Sequence, residues 1–496
     1  MTRTVGNTAI DARSGLDRAV KGARNLIAWL LLVTAAAWPG QALAQSKVDW
    51  PTYGFDNARS GHNPNETLLN TSTIGQLTLK WTAQMQGLIM TQPLLAANVT
   101  GAFADEKVDL VYAGDAAGNF AAFNAASGAA VWTRYVPPQP ITQCNGTPGT
   151  VGFQSTPVLD RANNAIYVAA PNGIVYALNL ATGAILWAVR VTTIPSTEAF
   201  WSGLALYQGQ LYITIAGADC DTPPYNGRIV DIDTASKSIA NTWYTTGANG
   251  PGGGGIWSWG GVSIDQTTGD VLTSTGNALG DNEKFGYGEA MVRLDKNLNV
   301  LDFNQPPVYG TDIDFGSTPT LYTPPGCAEQ TAVVNKSGEF LVYDANSLAA
   351  GAIQAVMIAD PSAGVVSGVV AYDPASNSLI MTNNQASPDG TFGAGILVFP
   401  IVGCSLQSPR QYTSGFAQQN GYFPPAPPTI ANGLIYASTG AAGQFFVLDE
   451  ATGQQRAATP AGWVTDGAYN AVSVVNGQVY LTSLSGVLYA FGLPAQ

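Results

Sequence analysis

The sequence predicts an all-β fold, an eight-bladed β-propeller, on three observations. Two stretches are near copies: residues 118–132 read GNFAAFNAASGAAVW, and residues 173–187 read GIVYALNLATGAILW. Looser copies follow at a drifting period of about 55 residues, which is the mark of a repeat architecture. Their leading glycine falls near Gly227, Gly288, Gly338, Gly395, Gly443 and Gly486. Finally, 56 glycines and 30 prolines are spread along the chain between short, alternating, β-branched or aromatic runs, the pattern of many short strands and turns.

The elements follow in chain order. Residues 1–44 read as an export signal: Arg18, Lys21 and Arg24 precede an apolar run from Leu26 to Trp38, then Ala42-Leu43-Ala44 and Gln45. That run of about thirteen residues is short for a bilayer span. Residues 45–496 are expected to form one propeller domain, and no later segment approaches membrane length. The mature chain opens with WPTYGFDNARSGHNP from Trp50, read as a strand that completes the last blade and closes the ring. Within each repeat a strand such as Ala165-Ile-Tyr-Val-Ala comes first. A glycine turn and a second strand such as Val175-Tyr-Ala-Leu follow, and then an Asx-x-x-x-Gly turn and a last strand. Strand–turn–strand at this spacing makes antiparallel hairpins. One such sheet cannot bury both faces, whereas about eight arranged radially bury one another. The terminal tryptophan of a copy is expected to fill the wedge between blades.

Composition narrows the function. The formal charge is −13, and the leader carries about +3, which leaves about −16 on the mature chain. Such a surface repels phosphate backbones and anionic lipid, which argues against nucleic acid and membrane partners. The four cysteines, Cys144, Cys220, Cys327 and Cys404, include no C-x-x-C pair. In an oxidising compartment they suit two disulfides. Of three possible pairings, Cys144–Cys220 with Cys327–Cys404 is favoured because each joins neighbouring repeats. The single histidine, His62, excludes histidine-rich metal sites, and the absence of C-x-x-C-H excludes attached haem c.

The Ala-Leu-Asn-x-Ala-Thr-Gly-x-x-x-Trp repeats resemble those of quinoprotein (PQQ-dependent) alcohol dehydrogenases and PQQ-repeat relatives, including polyvinyl-alcohol-dehydrogenase-like proteins. The resemblance covers nearly the whole mature chain and implies PQQ and calcium as cofactors. GGGGIWSWGGVSID from Gly252 is similar to the family segment whose tryptophan lies under the quinone. Spacing to Asn277 and Asp265 selects Trp259 over Trp257 as that platform. Ser274-Thr-Gly-Asn277 resembles the family's calcium-binding Gly-Asn. Asp312-Ile-Asp314-Phe-Gly resembles the family's Asp-Tyr/Phe-x-Gly and implies Asp314 as the general base. Asn335-Lys336-Ser-Gly-Glu-Phe resembles the family's cation motif and implies that Lys336 bonds the quinone oxygens. Two features depart from the pattern. No adjacent Cys-Cys pair exists, and Thr222 stands near the position of the calcium-binding Glu, flanked by Asp219 and Asp221 as substitute oxygen ligands.

The expected function is therefore exported oxidation of an alcohol. Calcium would be held by Asn277, Asp314 and Asp219 or Asp221. A carboxylate is needed at the base position because hydride leaves a carbinol carbon readily only once the hydroxyl loses its proton. Electrons would go to a separate acceptor such as a cytochrome c, in a periplasmic or secreted setting. Two other readings stand beside it. One is a non-catalytic binding or scaffold propeller of the cell envelope. The other is a lyase or hydrolase acting on a polymer in the central funnel, which has no residue signal.

Overall fold

The computed structural model describes residues 46–494, apart from 104–105, 308–310, 361–367, 384, 413–425, 439–443 and 459–469. The leader and the repeat position at Gly443 lie outside the described residues.

Eight antiparallel sheets of four or five strands follow one another along the chain and make the blades. Their first strands are Leu94–Thr100, Val158–Asp160, Ala205–Tyr207, Val262–Ile264, Thr320–Tyr322, Ala371–Asp373, Thr429–Ala431 and Ser473–Val475. We number the blades 1 to 8 in that order. The first strands are mostly buried, whereas last strands such as Ala130–Tyr135 are largely exposed, so each blade runs from the ring's centre to its rim. Two 3-10 turns, Ile74–Gln76 and Leu348–Ala350, are the helical elements among the described residues. None of these residues forms a helix long and apolar enough to cross a membrane.

The repeat residues have local physical tasks. Gly118 and Gly173 have φ of +92° and +79°, a region costly for residues with a Cβ. Each opens its blade's third strand, and its carbonyl accepts from the residue just past the fourth, Val136 or Val191, at 2.9 Å. A Cβ on Gly118 would lie 2.1 Å from Val136 O. The closing tryptophans do fill the wedges. Trp132 Nε1 donates to Leu180 O of the next blade at 3.0 Å, and Trp81 Nε1 donates to Ala125 O at 2.9 Å. Their indoles lie on Gly183 and Gly128, where a Cβ would come within 2.6 Å of the ring.

Ring closure corrects the expectation for the segment at Trp50. Blade 8 is completed by Thr78–Gln84, which pairs with Val487–Gly492. Residues 50–63 do something else: they meet all eight blades in turn. Trp50 N donates to Leu95 O (2.8 Å), and Leu159 N donates to Pro51 O (2.8 Å). Asn57 Nδ2 reaches Leu206 O (2.8 Å), while Ile264 N, Leu321 N, Tyr372 N and Ile430 N donate to carbonyls of Asn57, Ala58, Ser60 and Gly61. Asn63 Nδ2 reaches Val474 O at 2.7 Å in blade 8. So short a segment can touch the first strand of every blade only by lying where those strands converge. It is an axial segment and not a blade strand, because its backbone and side-chain polar groups are shared among eight different sheets.

The two disulfides are Cys144–Cys220 and Cys327–Cys404, the favoured pairing. The first ties the hairpin Gln139–Thr142/Pro148–Val151, which precedes blade 2, to a loop of blade 3.

Candidate active site

The site lies in the connections of blades 3 to 5. The glycine run at 252–255 threads between the ends of two blades. Gly227 N donates to Gly253 O (2.8 Å), Gly254 N to Asn277 O (2.6 Å), and Gly276 N to Gly255 O (2.8 Å). Gly252, Gly253 and Gly254 all have positive φ, and a Cβ on Gly227 would fall 1.8 Å from Gly254 O. Only glycines permit that approach. The run then delivers two tryptophans to different places.

Trp257 is half-buried, and its Nε1 donates to Asp314 Oδ2 at 3.0 Å. Trp259 is buried, packs with Tyr53 of the axial segment and with Val369, and has Gly368 against its ring. Gly368 N in turn donates to Gly316 O, two residues past Asp314. Both indoles thus belong to one neighbourhood, with Trp257 on the carboxylate and Trp259 toward the axis.

Asp314 is the hub. Its Oδ1 accepts from Asn277 N at 2.6 Å, and its Oδ2 accepts from Trp257 Nε1 and from Lys336 Nζ at 2.8 Å. Lys336 also pairs with Asp312 Oδ1 at 2.7 Å, and its ammonium stands 5.3 Å from the centre of the Trp257 ring. Burial pushes the Asp314 carboxyl above the usual carboxylate range, and Lys336 opposes that shift. For Lys336 burial alone would lower the pKa, but Asp314 and Asp312 outweigh it and hold the ammonium above its ordinary value. A buried carboxylate of raised basicity is what a general base requires.

Asp221 and Asp219 part company. Asn277 Nδ2 donates to Asp221 Oδ2 at 3.2 Å, and Tyr225 OH donates to Asp221 Oδ1. Asp219 instead accepts from Cys144 N at 2.8 Å, beside the disulfide. The group Cys144, Asp219 and Cys220 has metal-like proximity, but both sulfurs are in the disulfide. The linked series Asp221, Asn277, Asp314 presents two carboxylates and an amide oxygen, a hard donor set that fits calcium or a lanthanide. Asn277 turns its nitrogen to Asp221, and no hydrogen bond to its Oδ1 is found among the described residues. Thr222 is half-buried beside these residues.

Three further residues belong to this neighbourhood and were not singled out in the sequence. Glu289 Oε1 accepts from Ile313 N at 3.2 Å, and Glu283 Oε2 accepts from Asp312 N at 2.9 Å, so two glutamates hold the peptide that leads into Asp314. Burial, with the charges of Glu283 and Asp314, raises Glu289 to about 7. Tyr225 is buried; its burial and the adjacent Asp221 push its hydroxyl well above the usual tyrosine value. None of the three sits in a motif, so only folding could reveal them. His62 pairs loosely with Asp373 (3.7 Å), and Ser60 Oγ donates to Asp56, so no Ser-His-Asp relay forms there.

Residues 41–274 match the PQQ-repeat family described as outer membrane protein assembly factor BamB. The match spans just under half of the chain, and the fold is an eight-bladed β-propeller. The propeller is 23% identical over 330 residues to a polyvinylalcohol dehydrogenase of Pseudomonas sp, and that match covers 59% of this chain. It spans 48% of the relative, so the propeller covers about half the length of that protein. Quinohemoprotein alcohol dehydrogenase from Comamonas testosteroni superposes with TM-score 0.67 at 16% identity, over 90% of this chain and 81% of that one. A europium-containing methanol dehydrogenase superposes with TM-score 0.68 at 14% identity, over 90% and 98%. At these identities the likeness is one of fold, an eight-bladed β-propeller.

Proposed function

We propose that this propeller is an exported, periplasmic or secreted oxidoreductase that oxidises an alcohol with PQQ and a calcium-type cation as cofactors. One observation carries the reading. Trp257 Nε1, Lys336 Nζ and Asn277 N converge on the single buried carboxylate of Asp314, beside the oxygen donors Asn277 and Asp221.

Asp314 takes the proton of the substrate hydroxyl at Oδ2, and its raised basicity suits that transfer. Bound PQQ supplies the two-electron acceptor for the carbinol hydride. Lys336, tied to both Asp312 and Asp314, keeps a positive charge where negative charge develops. Asn277, Asp314 and Asp221 hold the cation; Asp219 faces the disulfide and contributes less. Trp259 offers an aromatic platform for a planar ring system and Trp257 an aromatic wall. The alcohol leaves as a carbonyl compound, and two electrons pass on to a separate acceptor such as a cytochrome c.

The test is reconstitution. Purified protein receives PQQ and calcium, and dye reduction is followed across a panel of small and polymeric alcohols. Activity with quinone absorbance retained after desalting is expected. Folded protein that retains no quinone and reduces no dye would remove the reading. A scaffold role is the second reading, and the family description of residues 41–274 as an assembly factor favours it. In that case the Asp314 cluster is purely structural, and Asp314→Asn lowers stability without touching any activity.

A further inference from the structure

Trp259 rests on a floor that its own blade does not make. Tyr53, from the axial segment, is buried and packs with Trp259 and Val369. Two glycines leave the room for this contact. A Cβ on Gly203 would fall 2.7 Å from Tyr53 Cβ, and one on Gly368 would fall 2.6 Å from Trp259 Cε3. The backbone is fastened as well, because Gly203 N donates to Trp259 O at 2.6 Å.

Arg59 completes the support. It is fully buried, and its guanidinium donates to Val262 O (2.9 Å), Leu204 O (3.2 Å), Tyr53 O (2.8 Å) and Thr52 Oγ1 (2.9 Å). Leu204 and Val262 begin the inner edges of blades 3 and 4, on either side of the connection that carries Trp259. One planar fork therefore joins the peptide of Tyr53 to both blades, which a lysine's point charge could not do. The segment that bears Tyr53 and Arg59 is itself bonded to all eight blades, so its height along the axis is fixed by the whole ring.

We propose that Tyr53 and Arg59 are positioning residues for Trp259, through which the axial segment sets how the indole stands toward the Asp314 cluster. This rests on the reading of Trp259 as the platform for a planar cofactor. Stacking depends on the height and tilt of the supporting ring, and small misplacements at a reacting centre are costly.

Tyr53→Leu, Tyr53→Phe, Arg59→Lys and Asn63→Ala in the full chain test this. Each is made with and without Trp259→Phe, so that the difference in emission reports Trp259 alone, in the absence of cofactor. PQQ affinity by equilibrium dialysis and the unfolding midpoint complete the set. In Tyr53→Leu and Arg59→Lys, the Trp259 emission shifts and quenching by acrylamide rises. PQQ binding weakens roughly tenfold, about the worth of one aromatic stacking contact. Tyr53→Phe keeps the ring in place and restores both signals. Asn63→Ala removes the segment's bond to Val474 O in blade 8 and leaves the Tyr53–Trp259 contact in place; it lowers the midpoint and leaves both signals unchanged. Unchanged Trp259 emission in Tyr53→Leu and Arg59→Lys overturns the proposal, as does an equal shift in Asn63→Ala. Should Tyr53→Leu fail to fold, Arg59→Lys against Tyr53→Phe decides. If the unaltered protein takes up no PQQ, the dehydrogenase reading falls, and the Trp259 emission still decides the positioning claim.

Discussion

Trp132 and Trp257 are both half-buried indoles that donate one hydrogen bond at 3.0 Å, and they serve different ends. Trp132, between blades 1 and 2, gives its N–H to a backbone carbonyl and lays its ring on a glycine. Trp257, on the connection between blades 3 and 4, gives its N–H to a buried carboxylate under an ammonium group. Where the repeat is regular, its side chains complete one another's hydrogen bonds and the blades adhere. Where it drifts, longer connections bring unlike charges together out of water. The candidate site occupies the irregular part of the ring for that reason.

The sharpest way to break this contrast is to remove the carboxylate. Asp314→Asn is expected to lower turnover of the reconstituted protein by about 10²- to 10⁴-fold, the usual worth of a general base. It should leave the fold intact by circular dichroism, and full activity would return Trp257 to the class of Trp132. Trp132→Ala should act in the opposite way. It removes a packed indole and its interblade bond and should cost about 3 kcal/mol in urea unfolding. Activity per folded molecule should not change.

A smaller effect is expected from the disulfides. The Cys144–Cys220 link holds the loop that bears Asp219 and Asp221, whereas Cys327–Cys404 lies at blades 5 and 6. Replacing the first pair by serines should weaken cation binding about tenfold in calorimetry, an order of magnitude typical for lost support around ligands. Replacing the second pair should leave the affinity unchanged. Equal effects of both pairs would show that Asp221 is not held through its neighbour Cys220.

The smallest effect concerns pH. Burial raises Glu289 and Glu329 to about 7 and Glu450 to about 8 from an ordinary value of 4.5. For an acid with a raised folded pKa, the unfolded chain gives up its proton first. The stabilisation is complete below about pH 4.5 and is lost as pH rises toward 7 to 8. The unfolding midpoint should therefore fall by a few degrees between pH 5 and 8, and Glu450→Gln should flatten the upper part of that slope.

Much of the architecture was legible beforehand. The glycine positions 118, 173, 338 and 486 all precede the third strand of a blade, and of three possible disulfide pairings the one favoured for joining neighbouring repeats is the one formed. These are local features: a period of two along a strand and a glycine at a positive φ need only neighbours in sequence. The opening segment misled because its apolar and turn residues look like any strand. Its partners are spread over eight sheets, and no local pattern records that.

Residue identities alone therefore determined the ring, its repeat and the types of group available for chemistry: indoles, carboxylates, an amide and a lysine. Only the closed ring decided their arrangement. It turned Asp221 to Asn277 and Asp219 to the disulfide, set Trp257 on Asp314, and placed Trp259 over Tyr53. Strand periodicity fixes which face a side chain takes within its own sheet. Which groups meet between sheets depends on how eight blades curve around a common axis, and that is a property of the assembled core.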